Sequence, residues 1–241
     1  MRIGVLTLGL ALVLSLAGCA GPAALPAPAP APLPASARLS PQIPPREAAA
    51  NFVMAVEAVE PVAEQFCRAL TKGLPCDFRI VIDDRPGEAP NAFQTLDRTG
   101  RPVIGMTLPL IAGARNVDEI AFILGHEAAH HILGHIPLQR DSAAAGAILA
   151  GVMATLGGAD EAAVRAAQNA GATLGARRYS QAFELEADAL GTEIAFRAGF
   201  DPVRGAAFFD LLGDPGNRFL GTHPPNAQRQ AIVRRVTASL Q

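Results

Sequence analysis

The chain has 241 residues, of which half are apolar, and its 20 basic residues nearly balance its 22 acidic ones. This length suits one folded domain together with a targeting segment, and the apolar share is ample for a core. Because no basic run interleaved with aromatic residues occurs, we do not expect nucleic acid as a partner.

The first eighteen residues have the features of a cleaved signal. Arg2 supplies a positive charge, and the apolar run over residues 5–16 is shorter than the roughly 20 residues of a membrane-spanning helix. The run leads into a Leu-Ala-Gly-Cys tetrapeptide that closes at Cys19. This tetrapeptide resembles the lipobox of bacterial lipoproteins, which implies cleavage before Cys19 and lipid on its sulfur. An ordinary cleaved signal with an incidental cysteine is the alternative.

A proline-rich segment follows the cysteine. Residues 22–45 contain nine prolines among alanines, a composition that favours an extended spacer of roughly 3 Å per residue. A disordered leader without a spacing role is the alternative. We therefore divide the chain into a signal peptide at residues 1–18, a lipidated cysteine with its tether at 19–45, and a domain at 46–241.

The first part of this domain combines one long helix with short strands. Apolar residues at three- and four-residue steps predict a helix over residues 46–71, in which Pro61 should cause a kink or a break. Runs bounded by turn residues then predict three strands, at residues 78–82, 91–96 and 102–108. We expect these strands to form a small antiparallel sheet.

The second part of the domain is predicted to be helical, which makes the whole a mainly α-helical α+β fold. One helix should cover residues 117–136, with Asn116 or Asp118 as its cap and Pro137 as its end. Residues 142–158 are small and apolar, and we favour a close-packed hairpin with residues 160–174 over membrane contact. Further helices are predicted at residues 179–198, 202–212 and 224–239.

Two histidines four residues apart on the helix at 117–136 predict a zinc site. His126 and His130 project from one face of a helix and can bind the same ion. Catalytic zinc sites keep one position open for water, and Glu127 would lie near that water rather than on the metal. The surrounding residues are apolar, and buried imidazoles without a partner would be costly. We therefore prefer a zinc site to a helix surface with two incidental histidines.

The other histidines of this helix do not continue the ligand pattern. Leu133 and Ile136 stand where a metzincin has glycine and histidine, which excludes that class. His131 should face away from the metal, and we interpret His135 as a structural residue just beyond the metal's reach. The third ligand must therefore come from elsewhere in the chain.

Later motifs complete the pattern. His126, Glu127 and His130 form an HExxH motif, and residues 184–188, Glu-Leu-Glu-Ala-Asp, form an ExxxD motif. This combination resembles the gluzincins. Together with Tyr-Ser at 179–180 and Thr-His-Pro at 222–224, these motifs resemble metallopeptidase family forty-eight over about residues 91–229. That family includes the CAAX prenyl protease, a bacterial heat-shock membrane protease and periplasmic quality-control lipoproteins. The resemblance implies a zincin-like gluzincin domain with its small sheet beside the HExxH helix.

The resemblance also assigns individual residues. It makes Glu184 the third zinc ligand, and Asp188, one turn later, the hydrogen-bond acceptor for a ligand imidazole. His223 would approach the zinc, either to block the open position or to bind the oxyanion, and Arg229 would anchor that loop through a carboxylate. A surface role for Asp188 and a turn role for His223 are the alternatives. Glu186 should point elsewhere as a solvated acid.

These assignments predict a zinc metalloendopeptidase with one Zn²⁺ per chain. Glu127 would act as general base and then as general acid in peptide hydrolysis. An extended substrate would pair with the edge of the strand near residues 102–108, which favours unfolded or misassembled envelope proteins. The alternative function is a latched metalloprotein that acts mainly as a chaperone or assembly factor for outer-membrane proteins, with His223 as the latch.

The cellular location follows from the lipobox. A lipid anchor at Cys19 would hold the protein on a bacterial membrane, facing the periplasm. Ala20 rather than aspartate follows this cysteine, which favours the outer membrane by analogy with enteric sorting. In such an oxidising compartment Cys67 and Cys76 could form a disulfide, although two buried free thiols fit the sequence equally well.

Overall fold

The computed structural model describes residues 42–211 and 224–241, except for the side chains of residues 177–180. In these ranges, helices α1 to α7 span Pro45–Leu70, Leu108–Gly113, Val117–Ile132, His135–Leu156, Glu161–Arg197, Pro202–Ala206 and Asn226–Leu240, and strands β1 to β3 span Arg79–Asp83, Ala92–Leu96 and Pro102–Thr107. A short 3-10 helix, Ala207–Leu211, follows α6. The predicted mainly α-helical α+β class is confirmed.

Helix α1 is one continuous helix of 26 residues that contains Pro61, so the expected break at this proline was wrong. Pro61 lies on the exposed side of α1, where water can bind the carbonyl group that loses its helical hydrogen bond. The opposite side buries Phe52, Val59 and Cys67 at helical spacing. A disulfide between Cys67 and Cys76 joins the end of α1 to the segment before β1.

The sheet is mixed rather than antiparallel. Its strand order is β1-β3-β2, in which β1 runs parallel to β3 and β2 runs antiparallel to it. Strand β3 is the central strand, because both of its edges are paired. It accordingly carries buried residues such as Ile104 and Met106. The expectation that β3 offers an edge to substrate was therefore wrong. Apolar patterning predicts the strands but carries little information about their direction.

The helix that carries the histidine pair is shorter than predicted. The Asn116 side chain caps α3 by accepting a hydrogen bond from the Glu119 amide at 3.1 Å. Helix α3 ends at Ile132, because Gly134 follows with a φ of 69°, a left-handed conformation that glycine adopts freely. Pro137 does not end it but lies in the first turn of α4, where its missing N–H costs no hydrogen bond.

Helices α4 and α5 form the close-packed hairpin that the small residues predicted. A Cβ atom added to Gly146 would lie 2.2 Å from the carbonyl oxygen of Gly171, so the helix backbones touch at this crossing. Helix α5 then continues without interruption for 37 residues, where the sequence predicted two helices. Among the described residues, no helix has both the length and the apolar character needed to cross a bilayer.

The core positions α3 between α1 and α5. Residues of all three helices, among them Val59, Leu124 and Ile194, belong to one buried cluster. The crossing of α3 and α5 is tight, because a Cβ atom on Gly191 would lie only 2.7 Å from the backbone nitrogen of His126. This close approach brings the histidine pair of α3 against the acidic face of α5.

Candidate metal centre

Three side chains from two helices converge at one point. His126 and His130 of α3 and Glu184 of α5 each offer a ligand atom, and these atoms lie within 4.8 Å of one another. The two Nε2 atoms are 3.1 Å apart. The Nε2 atom of His130 is 3.3 Å from Glu184 Oε1, and that of His126 is 3.6 Å from Glu184 Oε2.

These distances fit zinc. Ligand atoms about 2.0–2.1 Å from a tetrahedral zinc ion are separated by about 3.3 Å. Two imidazole nitrogens and one carboxylate are also a donor set of catalytic zinc, which leaves a fourth position open. His130 and Glu184 retain some solvent exposure, with relative side-chain accessibilities of 17% and 12%. Water can therefore reach this side of the cluster.

The charges around the cluster also suit a divalent cation. Among the described side chains, the carboxylates of Glu184, Asp188 and the half-buried Glu127 lie around the guanidinium of Arg229, which is 3.4 Å from Glu184. Burial alone would lower the pKa of His130, but the carboxylate of Glu184, with a smaller contribution from Glu127, outweighs it and raises that pKa. The carboxylates in the described part of the site thus outnumber its guanidinium, and a divalent cation bound at the cluster would offset their charge.

A buried ion pair lies behind His126. The Nδ1 atom of this histidine donates to Asp188 Oδ1 at 2.9 Å, and Arg229 donates to both oxygens of the same carboxylate at 2.7 Å. Burial alone would raise the pKa of Asp188, but Arg229 and His126 together lower it. Asp188 is therefore an ionised acceptor, which fixes the tautomer that leaves Nε2 of His126 free for a metal.

Asp188 is completely buried, so the alternative of a surface carboxylate is wrong. Arg229 pairs with Asp188, which is a helix residue of α5. Through this pair α7 is attached to α5 directly behind the cluster.

His130 has a partner that the sequence analysis missed. Its Nδ1 atom lies 2.9 Å from Nδ1 of His135, whose Nε2 lies 3.3 Å from Glu186. Burial lowers the pKa of His135 to about 3, so this imidazole is neutral near pH 7. His135 is not in the metal cluster, as expected. Sequence spacing could not predict the contact between His130 and His135, because the left-handed Gly134 lies between them and turns the chain from α3 into α4.

His131 faces away from the cluster, as predicted. Its Nε2 atom donates to the carbonyl oxygen of Pro75 at 2.7 Å, and its ring packs edge-on against Phe78 at 5.4 Å. Burial lowers the pKa of this histidine, which favours the neutral form. His131 therefore ties the helix of the metal cluster to the loop that the Cys67–Cys76 disulfide closes.

Two candidate functional residues of the sequence analysis, Cys19 and His223, lie outside the described part of the molecule. Their roles therefore rest on the sequence.

The sequence was also compared with known proteins. The model of a family described as Peptidase family M48 matches residues 57–237. This range covers well over half of the chain and contains the whole of α3 and α5, as well as Arg229 of α7. No curated individual protein matches the chain significantly.

Proposed function

The chain belongs to peptidase family M48 and is a zinc metallopeptidase, and on this premise we propose that it is an endopeptidase that cleaves unfolded or misassembled proteins of the bacterial cell envelope. The observation that carries the proposal is the convergence of His126, His130 and Glu184 next to a general base. We assign zinc binding to these three residues, with one ion per chain.

The residues of the site divide the reaction between them. Zinc, when bound, supplies a Lewis acid that polarises the scissile carbonyl and acidifies water. Glu127 follows His126 directly, is half-buried, and acts electrostatically on His130. Its carboxylate takes the proton of the attacking water and passes it to the leaving nitrogen, so the same group serves as base and acid. Asp188 keeps the His126 ring in place throughout.

An extended substrate would bind along β2. In the described sheet this strand has a neighbour on one side only, and it packs beside α3. Gln94 of β2 approaches the ring of His131 on α3 at 3.4 Å, which places the strand next to the helix that carries Glu127. Pairing with a strand edge uses the main chain of the substrate. Such recognition suits polypeptides that have lost or not yet reached their fold.

The envelope location rests on the sequence before the domain. We propose that residues 1–18 are removed, that Cys19 carries lipid, and that residues 19–45 form a tether for the zinc metallopeptidase domain at 46–241. The tether would allow a stand-off of about 70 Å from the membrane. A Cys19→Ala variant should lose palmitate labelling and leave the outer-membrane fraction. Unchanged fractionation of this variant would contradict the anchor.

The central test is Glu127→Gln. We expect this variant to bind one zinc per chain, as the native protein does, and to lose at least about 100-fold of its casein-cleaving activity, since general acid–base catalysis contributes at least that much. Glu57→Gln, at an exposed position of α1, is the matched control and should retain full activity. Wild-type cleavage by the Glu127 variant would refute the assignment. Envelope proteins that accumulate only with Glu127→Gln would identify substrates.

The proposed role of His223 has its own test. If this histidine blocks the open metal position, His223→Ala should increase casein cleavage at unchanged zinc content. A loss of activity with zinc retained would instead assign it to the oxyanion of the transition state. Equal activity of both forms would remove His223 from the site and, with it, the basis of the alternative chaperone function.

A further inference from the structure

The two candidate ligand histidines have different hydrogen-bond partners. His126 donates to the carboxylate of Asp188, which is ionised and paired with Arg229. His130 instead meets another imidazole, that of His135, at 2.9 Å. A ligand histidine usually donates its second N–H to a carboxylate, a carbonyl or water. The contact of His130 therefore needs its own explanation.

The direction of this hydrogen bond follows from the geometry. The Nε2 atom of His130 faces Glu184 and the Nε2 atom of His126, so the hydrogen of a metal-binding His130 is on Nδ1. Two Nδ1 atoms 2.9 Å apart share one hydrogen, and His130 is its donor. His135 therefore accepts on Nδ1 and carries its own hydrogen on Nε2, which lies 3.3 Å from Glu186 Oε2.

The His135 ring is fixed by its surroundings. It stacks on the ring of Phe183, with centroids 4.5 Å apart and an angle of 13° between the planes. It is the first residue of α4, directly after the left-handed Gly134, and it is 3% exposed. Phe183 and Glu186 flank Glu184 on α5. The ring thus spans the end of α3 and the segment of α5 that supplies the carboxylate of the cluster.

We propose that His135 is a positioning residue of the zinc site, which fixes the ring orientation and tautomer of His130 by accepting its Nδ1 hydrogen. This inference rests on the zinc binding in the proposed function and extends it. Glu186, whose side chain is 58% exposed, contributes less, because a solvated hydrogen bond exchanges with water.

Three variants separate positioning from packing. In His135→Asn the amide oxygen takes the place of the Nδ1 acceptor. His135→Leu keeps apolar volume but removes the acceptor, and Glu186→Gln keeps an acceptor for the His135 Nε2 hydrogen. We expect the leucine variant to bind zinc 10- to 100-fold more weakly, in the range measured for lost ligand partners. The asparagine and glutamine variants should weaken zinc binding by less than about 10-fold, below that range.

The primary measurement is the zinc dissociation constant, obtained by competition with a chromophoric chelator. The absorption spectrum of the cobalt-substituted protein reports ligand geometry, and thermal unfolding of the metal-free protein reports packing. A residue that serves packing alone would lower the melting temperature of both His135 variants and leave the zinc affinity unchanged. That result, or equal zinc affinities of the asparagine and leucine variants, would overturn the proposal.

A second measurement needs no variant and so does not depend on whether the leucine protein folds. In ¹⁵N-correlated spectra of the zinc-loaded native protein, His130 should carry its hydrogen on Nδ1 and His135 on Nε2. The opposite tautomer of His135 would contradict the proposal. Native protein that binds zinc without cleaving peptides would refute the proposed function but still allow this test. Native protein that does not bind zinc would refute both.

Discussion

Asp188 and Arg229 form a buried bidentate ion pair, in which Nε and Nη2 of the arginine donate to separate carboxylate oxygens at 2.7 Å each. The same carboxylate accepts a hydrogen bond from His126. One pair therefore links α7 and α5 to a candidate metal ligand of α3. Substitutions at this ion pair should therefore affect both the stability of the fold and the geometry of the candidate metal site.

Arg229→Met should destabilise the metal-free protein by about 3–5 kcal/mol, because it leaves the Asp188 carboxylate buried without its counter-charge. Urea unfolding followed by circular dichroism measures this loss. Arg234→Met, at an exposed position of the same helix, is the control and should stay within about 0.5 kcal/mol. Similar small losses for both variants would show that the ion pair contributes little.

The Asp188 carboxylate should also make stability depend on pH. Its pKa is lower in the folded protein than the value of about 3.9 for an unfolded aspartate, so the unfolded state binds more protons between the two values. The stabilisation is therefore complete above about pH 5 and is lost as the pH falls through the folded-state pKa.

Asp188→Asn mimics the protonated side chain and tests this dependence. At pH 7 it should destabilise the metal-free protein by about 3 kcal/mol, and the difference from the native protein should shrink below about pH 4. Unfolding free energies measured across this range check the sign. A difference that grows towards low pH would contradict the assignment of Asp188 as an ionised acceptor.

The sequence predicted the candidate metal cluster better than the sheet. A spacing of four residues on one helix defines which side chains share a face, and the ExxxD motif pointed to Glu184 and Asp188 before any contact was visible. The strands were located within one or two residues, but their mixed order was missed. Strand direction depends on how the chain crosses the sheet, and the loop at residues 84–91 carries no pattern that specifies this crossing.

The helix ends were predicted less accurately than the helices themselves. Pro137 was taken as the end of the helix that carries the histidine pair, whereas Gly134 ends it and Pro137 starts the next one. Glycine just after a periodic run is a common end of a helix, so the sequence did contain the signal for this end. The contact between His130 and His135 depends on this turn. Sequence spacing alone could not show it, because the two residues belong to different helices.

The Cys67–Cys76 disulfide should stabilise the domain by about 2–3 kcal/mol, because closing a short loop lowers the conformational entropy of the unfolded chain. The test compares Cys67→Ser/Cys76→Ser with the native pair, both in a Cys19→Ala background that removes the third thiol. Urea unfolding should give the lower stability for the double-serine protein. Reductant should bring the native pair to that value and leave the double-serine protein unchanged. No effect of reductant on the native pair would argue against the bond.

The last prediction concerns the crossing of α3 and α5. Gly191→Ala favours helix formation by about 1 kcal/mol, but its Cβ atom would lie 2.7 Å from the backbone nitrogen of His126. Overpacking costs about 1–3 kcal/mol, and the upper end applies here because the added Cβ atom meets backbone, which cannot move aside as a flexible side chain can. After the helix gain is subtracted, we expect a net loss of about 2 kcal/mol in urea unfolding.

Zinc affinity should fall together with this stability, because α5 carries Glu184 and α3 carries both histidines. Gly157→Ala is the matched control, since its nearest contact would be 3.4 Å away and its φ of −77° suits alanine. It should raise stability by at most about 1 kcal/mol and leave zinc binding unchanged. If Gly191→Ala unfolded like the native protein and bound zinc equally well, the helix crossing would not be what holds the three candidate ligands at their spacing.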